Sequence, residues 1–533
     1  MHDQVKSGKK YLLTPFQKYF LYREQFKLFS STVYVGAELN ENFNVSIDLI
    51  KMALKHMFQK DANKELLLQI NKDNLMYNEG KNKQHKRSEI FLVNEKDLCY
   101  EDFVSVYDDD DITGIADPCL VEDILKNKLD IGFDNMPLWR VYYLPKMKYL
   151  IFNYSHIFYD GMSGTFFLDL LLEELEAINT KTEVTEKLNV NDLSLLKRNN
   201  VCIVDSDLLD LNIIDVFPRA NLMSMLFLKF CLKSLLEIMT ALYRGLLTMM
   251  SKNALKLKFK SNLPSEANVF VQHSDYYVIK GNHMTKLLLI CKQNEFSFNS
   301  LLLSLLSLSG PEGSMGINSD NKYLSTYNHE ISIPLNARRF LLRGETLQDK
   351  IGMFVTGGKI QTCDIKMNLC ENDTYDTVIN LAKDMNKKVK KVCLQNFQET
   401  VDEVGLLNFL ANDTMKKLDS IFKDNPKKIC DYELSNLGCT NKKYTHLIKR
   451  LVFNQSFNPR SSNMTVSCIT GGISGDCVLS FMTTKEQELC NWCDRFNKVL
   501  GLFLNSVGIV TQNKKEQITD IIKEKKDIGS LRN

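Results

Sequence analysis

One short segment of this chain, Asn153–Gly164, holds the residues whose types and spacing could carry out acid–base chemistry. His156 stands at the end of an apolar run, where a histidine can take a proton from a hydroxyl or an amine that attacks an acyl carbon, a role worth about 10²–10⁴-fold in rate. Asp160 can hold the turn or the imidazole in one orientation, through a hydrogen bond or an arginine pair. Gly161 and Gly164 would let the backbone turn tightly and approach a ligand. The structural alternative is a His and an Asp that only satisfy each other, because H-x-x-x-D also arises by chance.

The elements around this segment predict that it joins a strand to a helix. Trp139–Leu144 and Tyr149–Ser155 are strand-like runs on either side of Pro145–Lys148, which predicts a hairpin. Apolar residues at helical spacing follow from about Gly164 to Ala177. Three further elements are predicted upstream: a helix over Pro15–Phe29, a strand over Thr32–Leu39 and a helix from Asn44 to about Gln59.

An α/β rhythm resumes in the second half of the chain. The predicted strands are Asp275–Lys280, Glu330–Leu335, Asp431–Ser435, Arg450–Asn454, Met464–Ile469 and Cys477–Met482. The predicted helices are Met284–Lys292, Ser300–Leu308, Thr377–Gln395, Val401–Leu418 and Lys485–Leu504. The sequence therefore favours two α/β halves of comparable size.

The totals exclude several classes of protein. The 533 residues include 67 Lys+Arg and 65 Asp+Glu, a net charge of +2, so we expect no recruitment to nucleic acid by net charge. The 14 cysteines are too dilute for a disulfide framework, and the polar, basic start lacks the apolar stretch of a secretory signal. Cys490 and Cys493 form a single C-x-x-C pair without a second pair nearby, so we expect no metal site. These features predict a protein of a reducing cytosol.

Asn221–Met250 is dense in Leu, Met and Phe, but charged residues interrupt it too often for it to span a bilayer. A lysine-rich stretch follows, which fits either a helix lying in a membrane interface or a buried helix with snorkelling lysines. The amphipathic segments Pro15–Phe29 and Lys485–Leu504 present the same two alternatives, membrane contact or core packing.

The motif and several other segments resemble a known family. H-x-x-x-D-G at the end of an apolar strand resembles the signature of the chloramphenicol-acetyltransferase-like, BAHD-related superfamily of CoA-dependent acyltransferases. The fungal (yeast) alcohol O-acetyltransferases have segments similar to Trp139-Arg140-Val141, Ile333–Phe340 (IPLNARRF), Gly357-Gly358, Leu434–Gly438 and Phe453–Ser456. The resemblance spans roughly residues 12–505 and is poor over Asn179–Leu263. The D-F-G-W-G element of the plant relatives is absent.

This resemblance implies an α/β (α+β) fold of two chloramphenicol-acetyltransferase-like domains. Each would be a mixed sheet flanked by helices, with the active site in the tunnel between them. We place an N-terminal domain with the HxxxD motif at residues 1–180, a linker with the apolar segment at 181–265, a C-terminal domain at 266–510 and a charged tail at 511–533.

The resemblance also implies an enzyme that transfers acetyl from acetyl-CoA, its co-substrate, to a lipophilic alcohol in a ternary complex without a metal. His156 would be the general base, Asp160 would position the loop, and Arg338 would be its ion-pair partner. Gly161 and Asn336 would support the site. Three residues are candidates for the oxyanion donor or for CoA contacts: Ser435, Asn436 and Ser456.

Two other functions stay open at this point. The acceptor could be a sphingoid-like or other lipophilic amine, since the same base serves either nucleophile. A non-catalytic, lipid-binding protein of the membrane surface on the same scaffold is the second alternative. The family resemblance implies a monomer with peripheral membrane association, at the cytosolic face of the endoplasmic reticulum or a lipid droplet and otherwise in the cytoplasm. A serine hydrolase is disfavoured because no G-x-S-x-G elbow is present.

Overall fold

The structure is a computed structural model that describes most of the chain between residues 11 and 508. The described residues are 11–13, 17, 20, 21, 24, 31–70, 89–107, 110, 112–126, 129, 131, 132, 136–185, 272–310, 315–317, 323–327, 329–340, 349–362, 365–368, 371–409, 430–440, 443–457 and 462–508. The predicted interfacial segment, Asn221–Met250, and the tail beyond residue 508 lie outside them.

The first half of the chain alternates short strands with helices. Its strands are β1 (Tyr11–Leu12), β2 (Thr32–Leu39), β3 (Leu68–Ile70), β4 (Glu89–Leu92), β5 (Val104–Val106), β6 (Trp139–Leu144) and β7 (Tyr149–Ser155). Its helices are α1 (Ile47–Gln59), α2 (Tyr100–Phe103), α3 (Pro118–Lys126) and α4 (Gly161–Thr185), with 3-10 turns at Asp61–Leu67 and Glu95–Asp97. Ser46 caps α1 by accepting the Leu49 N–H, which explains why this helix begins where it does.

The second half has the same mixture. Its strands are β8 (His273–Ile279), β9 (Met315–Ile317), β10 (Tyr323–Tyr327), β11 (Glu330–Asn336), β12 (Val355–Gln361), β13 (Ile365–Asn368), β14 (Tyr432–Cys439), β15 (Ile448–Gln455), β16 (Met464–Thr470) and β17 (Cys477–Thr483). Its helices are α5 (Gly281–Gln293), α6 (Phe298–Leu308), α7 (Glu371–Phe409) and α8 (Glu486–Ser506), with 3-10 turns at Ala337–Phe340 and Thr445–Leu447.

Two sheets organise the described residues into two halves. The first has five strands in the order β15-β2-β7-β6-β5, and the second has six in the order β12-β11-β14-β16-β17-β8. Both are mixed, since β5 runs parallel to β6 and β14 runs parallel to β11 and β16, whereas the other pairs are antiparallel. Two three-stranded sheets, β1-β4-β3 and β13-β10-β9, are smaller. The predicted fold of mixed sheets flanked by helices is confirmed.

One strand crosses from one half to the other. β15 comes late in the chain, within the range predicted for the C-terminal domain, yet it pairs with β2 at the edge of the five-stranded sheet. A division into continuous stretches of chain therefore does not describe the sheets. A buried cluster between the sheets also draws on both, because Tyr34 and Val452 share it with Val478 and Met482.

Two helices differ from their predictions in ways that bear on function. The patterns at Thr377–Gln395 and Val401–Leu418 belong to one helix, α7, through Phe409, because neither glycine nor proline lies between them at residues 396–400. The apolar residues of α8, among them Trp492, Phe496 and Phe503, are buried in the core of the second half. Core packing is therefore the outcome for this helix. Among the described residues, no helix is long and apolar enough to cross a membrane.

Candidate active site

The histidine of the motif lies in the turn between β7 and α4. The backbone N–H of His156 donates to the Ser31 carbonyl at 2.8 Å, and its Nδ1 lies 2.9 Å from the Tyr159 carbonyl oxygen. A carbonyl only accepts, so Nδ1 carries the hydrogen and Nε2 is the nitrogen that can take up a proton. The Phe20 ring stacks on the imidazole at 4.3 Å between centroids. The hydrogen bond from Nδ1 thus fixes the orientation of the imidazole in its own plane, and the Phe20 ring packs against one of its faces.

The carboxylate of the motif's aspartate is hydrogen-bonded to the neighbouring helix and to the other half of the chain. Asp160 Oδ1 accepts from the Ser163 N–H and hydroxyl, both at 2.9 Å, which makes Asp160 the N-cap of α4. Its two oxygens also accept from Arg338, at 2.6 Å and 3.0 Å, and Oδ2 accepts from the Phe354 N–H at 3.0 Å. Asp160 therefore fixes the loop that carries His156.

Arg338 is the centre of this contact between the halves, and the ion pair expected from the sequence is formed in the structure. Its guanidinium is buried, donates to the Lys350 carbonyl from Nε at 3.0 Å and from Nη2 at 2.8 Å, and lies 4.6 Å from the centre of the Phe354 ring. Asn336 Oδ1 accepts from the Arg338 N–H at 3.1 Å. The 3-10 turn that follows β11 thus presents one arginine to the first half in a fixed, bidentate geometry.

The electrostatics of this pair keep Asp160 ionised. Burial alone raises the pKa of the carboxyl, but the positive charge and hydrogen bonds of Arg338, with those of Phe354 and Ser163, outweigh it and lower the pKa below its ordinary value. The opposite holds for Glu65, which lies in the 3-10 turn before β3. Burial raises its pKa to about 7, although Lys350 and the Ile351 N–H favour the charged form.

The two glycines of the motif lie against tightly packed side chains. Neither has a positive φ, so the turn itself does not require glycine. A Cβ at Gly161 would lie 2.7 Å from the Leu437 side chain, and one at Gly164 would lie 2.5 Å from Val35 and 2.7 Å from the Tyr154 hydroxyl. Both glycines therefore allow close approach of packed side chains from β14, β2 and β7.

The three candidates for the oxyanion donor or CoA contacts lie at different places. Ser456 follows β15 and donates its backbone N–H to Thr32, so it lies at the same end of the five-stranded sheet as His156. Asn436, next to the Leu437 that packs on Gly161, has its amide bonded to Asn299 and to the Gly438 N–H. Ser435 precedes it on β14, opposite Ser467 of β16.

Several contributors to the site were not predicted. Three of them are backbone groups: the Tyr159 carbonyl, the Phe354 N–H and the Gly352 carbonyl, which accepts from Ser163. A sequence pattern cannot identify such groups, because every residue has a backbone carbonyl. The contact with Ser163 could have been found, because an Asp N-cap accepts from the backbone N–H of the residue two or three positions further on. Phe20 lies in the predicted first helix, but the pattern does not show that its ring contacts His156.

Two mixed α/β halves meet beside a histidine that lies in the turn between a strand and a helix. This arrangement defines the class of protein, an acyltransferase with the two-lobed chloramphenicol-acetyltransferase-like fold. Comparison with known proteins gives the family: the model of the family "alcohol acetyltransferase" matches residues 15–506. The chain belongs to the alcohol acetyltransferase family, and it is an acyltransferase that uses an acyl-CoA and an acceptor substrate.

Individual relatives are distant. An uncharacterized protein of Schizosaccharomyces pombe is 25% identical over 412 residues, which cover 76% of this chain and 82% of that protein. The structure of a trichothecene 15-O-acetyltransferase from Fusarium sporotrichioides superposes with a TM-score of 0.59 at 9% identity, over 94% of this chain and 97% of that one. The epimerization domain from the third module of tyrocidine synthetase B gives 0.50 at 14% identity, over 95% and 100%. At these identities the structures share the fold.

Proposed function

We propose that this protein transfers the acetyl group of acetyl-CoA to the hydroxyl of a lipophilic alcohol, with His156 as the general base. The observation that carries the proposal is the hydrogen bond from His156 Nδ1 to the Tyr159 carbonyl, because it sets the tautomer that a base needs. The family to which the chain belongs supports an alcohol as acceptor.

The proposed reaction is a direct transfer. Nε2 of His156 takes the proton of the alcohol while the alcohol oxygen attacks the thioester carbonyl carbon. The carbonyl π electrons move to oxygen, and the tetrahedral intermediate then expels the CoA sulfur as a thiolate. The imidazolium returns its proton to that sulfur, which leaves the acetate ester, CoA and neutral His156. His156 is therefore neutral at the end of the cycle, as it was at the start.

In our proposal, four residues hold the site in its geometry and transfer no proton: Asp160, Arg338, Asn336 and Gly161. The five hydrogen bonds of the Asp160 carboxylate hold α4, Arg338 and the Phe354 backbone in place. His156 is four residues from this anchor and therefore moves with it. The ion pair keeps the base where the two halves meet.

An oxyanion donor is the remaining requirement, because losing one typically costs about 10²–10³-fold in rate. We rank Ser456 first among the three candidates, since its backbone is tied to Thr32, the residue paired with Ser155 directly before His156. Asn436 ranks second, because its amide already bonds within the protein. Replacement of Ser456 by Ala should lower kcat by about 100-fold, and Ser435→Ala should change it far less.

The test of the function is CoA release from acetyl-CoA with medium-chain alcohols. We expect turnover by the native chain and a loss of about 10²–10⁴-fold in His156→Ala. His446→Ala is the matched control, because that imidazole is exposed and pairs with Glu176 on the surface. Equal turnover by native protein and His156→Ala would remove His156 from the mechanism.

The nature of the acceptor is tested in the same assay. Isoamyl alcohol and a long-chain amine are compared as acceptors at equal concentration, with detection of the ester or amide. We expect the alcohol to be preferred, in keeping with the family. Preference for the amine would shift the proposal to N-acetylation by the same base.

We also propose peripheral attachment at the cytosolic face of the endoplasmic reticulum or a lipid droplet, through Asn221–Met250 and its lysine-rich flank. The proposal rests on their composition and on a lipophilic acceptor. Since α8 packs in the core, it is no longer a candidate for this contact. Replacing Leu235 and Met239 by Asp should abolish flotation of the full chain with anionic liposomes, and unchanged flotation would reject the segment.

A further inference from the structure

Ser31 lies directly beside His156 at the end of the five-stranded sheet. Thr32 of β2 is opposite Ser155 of β7, and the ladder continues by one step because the His156 N–H donates to the Ser31 carbonyl at 2.8 Å. Directly opposed residues of an antiparallel pair carry their side chains on the same face, with Cβ atoms about 4.5–5.5 Å apart. This register places the Cβ atoms of Ser31 and His156 on the same face of the sheet.

The backbone of Ser31 is fully engaged, but its hydroxyl is not. Its N–H donates to Glu24 Oε1 at 2.6 Å, and its carbonyl accepts from His156. The residue is 2% exposed, and within the described part of the chain its Oγ has no hydrogen-bond partner. A buried hydroxyl without a partner lowers the stability of the folded state.

Two residues of one helix contact His156 and Ser31. Phe20 and Glu24 are helical residues one turn apart, so they lie on the same side of that helix. Phe20 stacks on the imidazole, and Glu24 accepts from the Ser31 N–H. One helix thus contacts the base through Phe20 and the backbone of the serine through Glu24.

We propose that the Ser31 hydroxyl donates a hydrogen bond to the reacting oxygen of the alcohol and so holds it at His156 Nε2. The inference rests on the proposed function. A general base must lie about 2.6–3.2 Å from the oxygen whose proton it takes. An alcohol that donates to Nε2 has two lone pairs, one for attack on the thioester and one to accept from Ser31. Ser31 is then an acceptor-binding residue that supplies the hydrogen bond it lacks inside the protein.

The experiment compares Ser31→Ala and Ser31→Thr with the native chain in steady-state assays of both substrates. We expect Ser31→Ala to lower kcat/KM for the alcohol about tenfold, mainly by raising KM, with KM for acetyl-CoA unchanged. Ser31→Thr keeps the hydroxyl and should stay within threefold of native. Because the Ser31 hydroxyl has no hydrogen-bond partner among the described residues, the Tm of Ser31→Ala should equal or exceed the native value.

Ser480→Ala is the matched control. Ser480 is buried on β17 in the other sheet, and its hydroxyl also has no partner within the described residues. Its replacement should change Tm as Ser31→Ala does and leave kcat/KM unchanged. The combination of unchanged stability and lost acceptor affinity is what separates a binding serine from a structural one.

Each other outcome overturns the assignment. Native kcat/KM in Ser31→Ala, with an active native enzyme, rejects Ser31 and leaves the proposed function intact. A loss in kcat with unchanged KM for the alcohol would assign the hydroxyl to the thioester oxyanion instead. A lowered Tm with activity that Ser31→Thr fails to restore would make the residue structural. A native chain without any CoA release to alcohols rejects both proposals.

Discussion

Replacing Arg338 by Met tests how the two halves hold the histidine loop. Met retains apolar contact with the Phe354 ring but removes both hydrogen bonds to Asp160. The Asp160 carboxylate would stay buried beside Ser163 and Phe354 without a cation. Breaking a buried ion pair by removing one partner typically costs about 3–5 kcal/mol. We expect a loss of that size in the free energy of unfolding.

The pH dependence of this loss follows from the pKa of Asp160. In the native chain the folded pKa is lowered, so its contribution to stability is present above about pH 4, the ordinary pKa of a carboxyl, and is lost as pH falls through the lower folded value. Without Arg338, burial dominates and raises the folded pKa above the ordinary value. Stability of the variant should then rise as pH falls from neutral towards 4, the reverse of the native contribution.

The two tryptophans allow each half to be followed separately in urea. Trp139 is buried in the core of the first half and Trp492 in that of the second, so Trp492→Phe and Trp139→Phe each leave one reporter. In the native background we expect the two fluorescence transitions to coincide. In Arg338→Met they should separate, because the main ionic link between Asp160 and the second half is gone.

Lys359→Met is the control for removal of a cation. Lys359 pairs with Glu330 at 2.8 Å, but both side chains are about half exposed, so the cost should be below about 1 kcal/mol. If Arg338→Met also costs less than about 1 kcal/mol, and the two transitions still coincide, the ion pair does not hold the halves together as argued.

Two further predictions concern packing and protonation. Gly164→Ala should lower the free energy of unfolding by about 1–3 kcal/mol, because the new Cβ would overlap Val35 and Tyr154. Gly357→Ala is the control and should cost little, because no atom lies within 4 Å of its new Cβ. Equal effects of the two substitutions in thermal unfolding would contradict this. The raised pKa of Glu65 means that the folded state binds a proton that the unfolded state has already lost between about pH 4.5 and 7. The stability of the native chain should therefore fall across this range as pH rises, by up to about 1.4 kcal/mol per pH unit. Glu65→Gln should remove this fall. Urea unfolding at several pH values checks it, and parallel native and variant curves would refute it.

Local patterns predicted much of the fold, and their failures have physical causes. β2, β6 and β7 have the predicted bounds, since buried strands carry nearly continuous apolar residues. β12 was not predicted, because Gly357 and Gly358 interrupt its strand pattern. The crossover of β15 was not predicted either, because strand pairing depends on residues some 400 positions apart that no local period relates.

The candidate site divides in the same way. His156 and Asp160 were found because their spacing is local, and Arg338 was found only through the resemblance to a family. The groups that fix the imidazole and the carboxylate are main-chain atoms of Tyr159 and Phe354, and every residue has such atoms. Ser31 was missed because its significance lies in the partner that its hydroxyl lacks, which only a folded structure reveals.

The histidine and the aspartate of the motif have different hydrogen-bond partners in the structure, although they are only four residues apart in the sequence. Asp160 accepts five hydrogen bonds, none of them from His156, and its lowered pKa keeps it ionised. The partner of Nδ1 is instead the neutral Tyr159 carbonyl, which cannot take up a proton. The hydrogen-bond partner of Nδ1 is therefore a backbone carbonyl, whereas in a serine protease triad it is a carboxylate. On the proposed mechanism this favours rapid return of the proton to the departing thiolate, so that one histidine serves as base and acid within a single ternary complex.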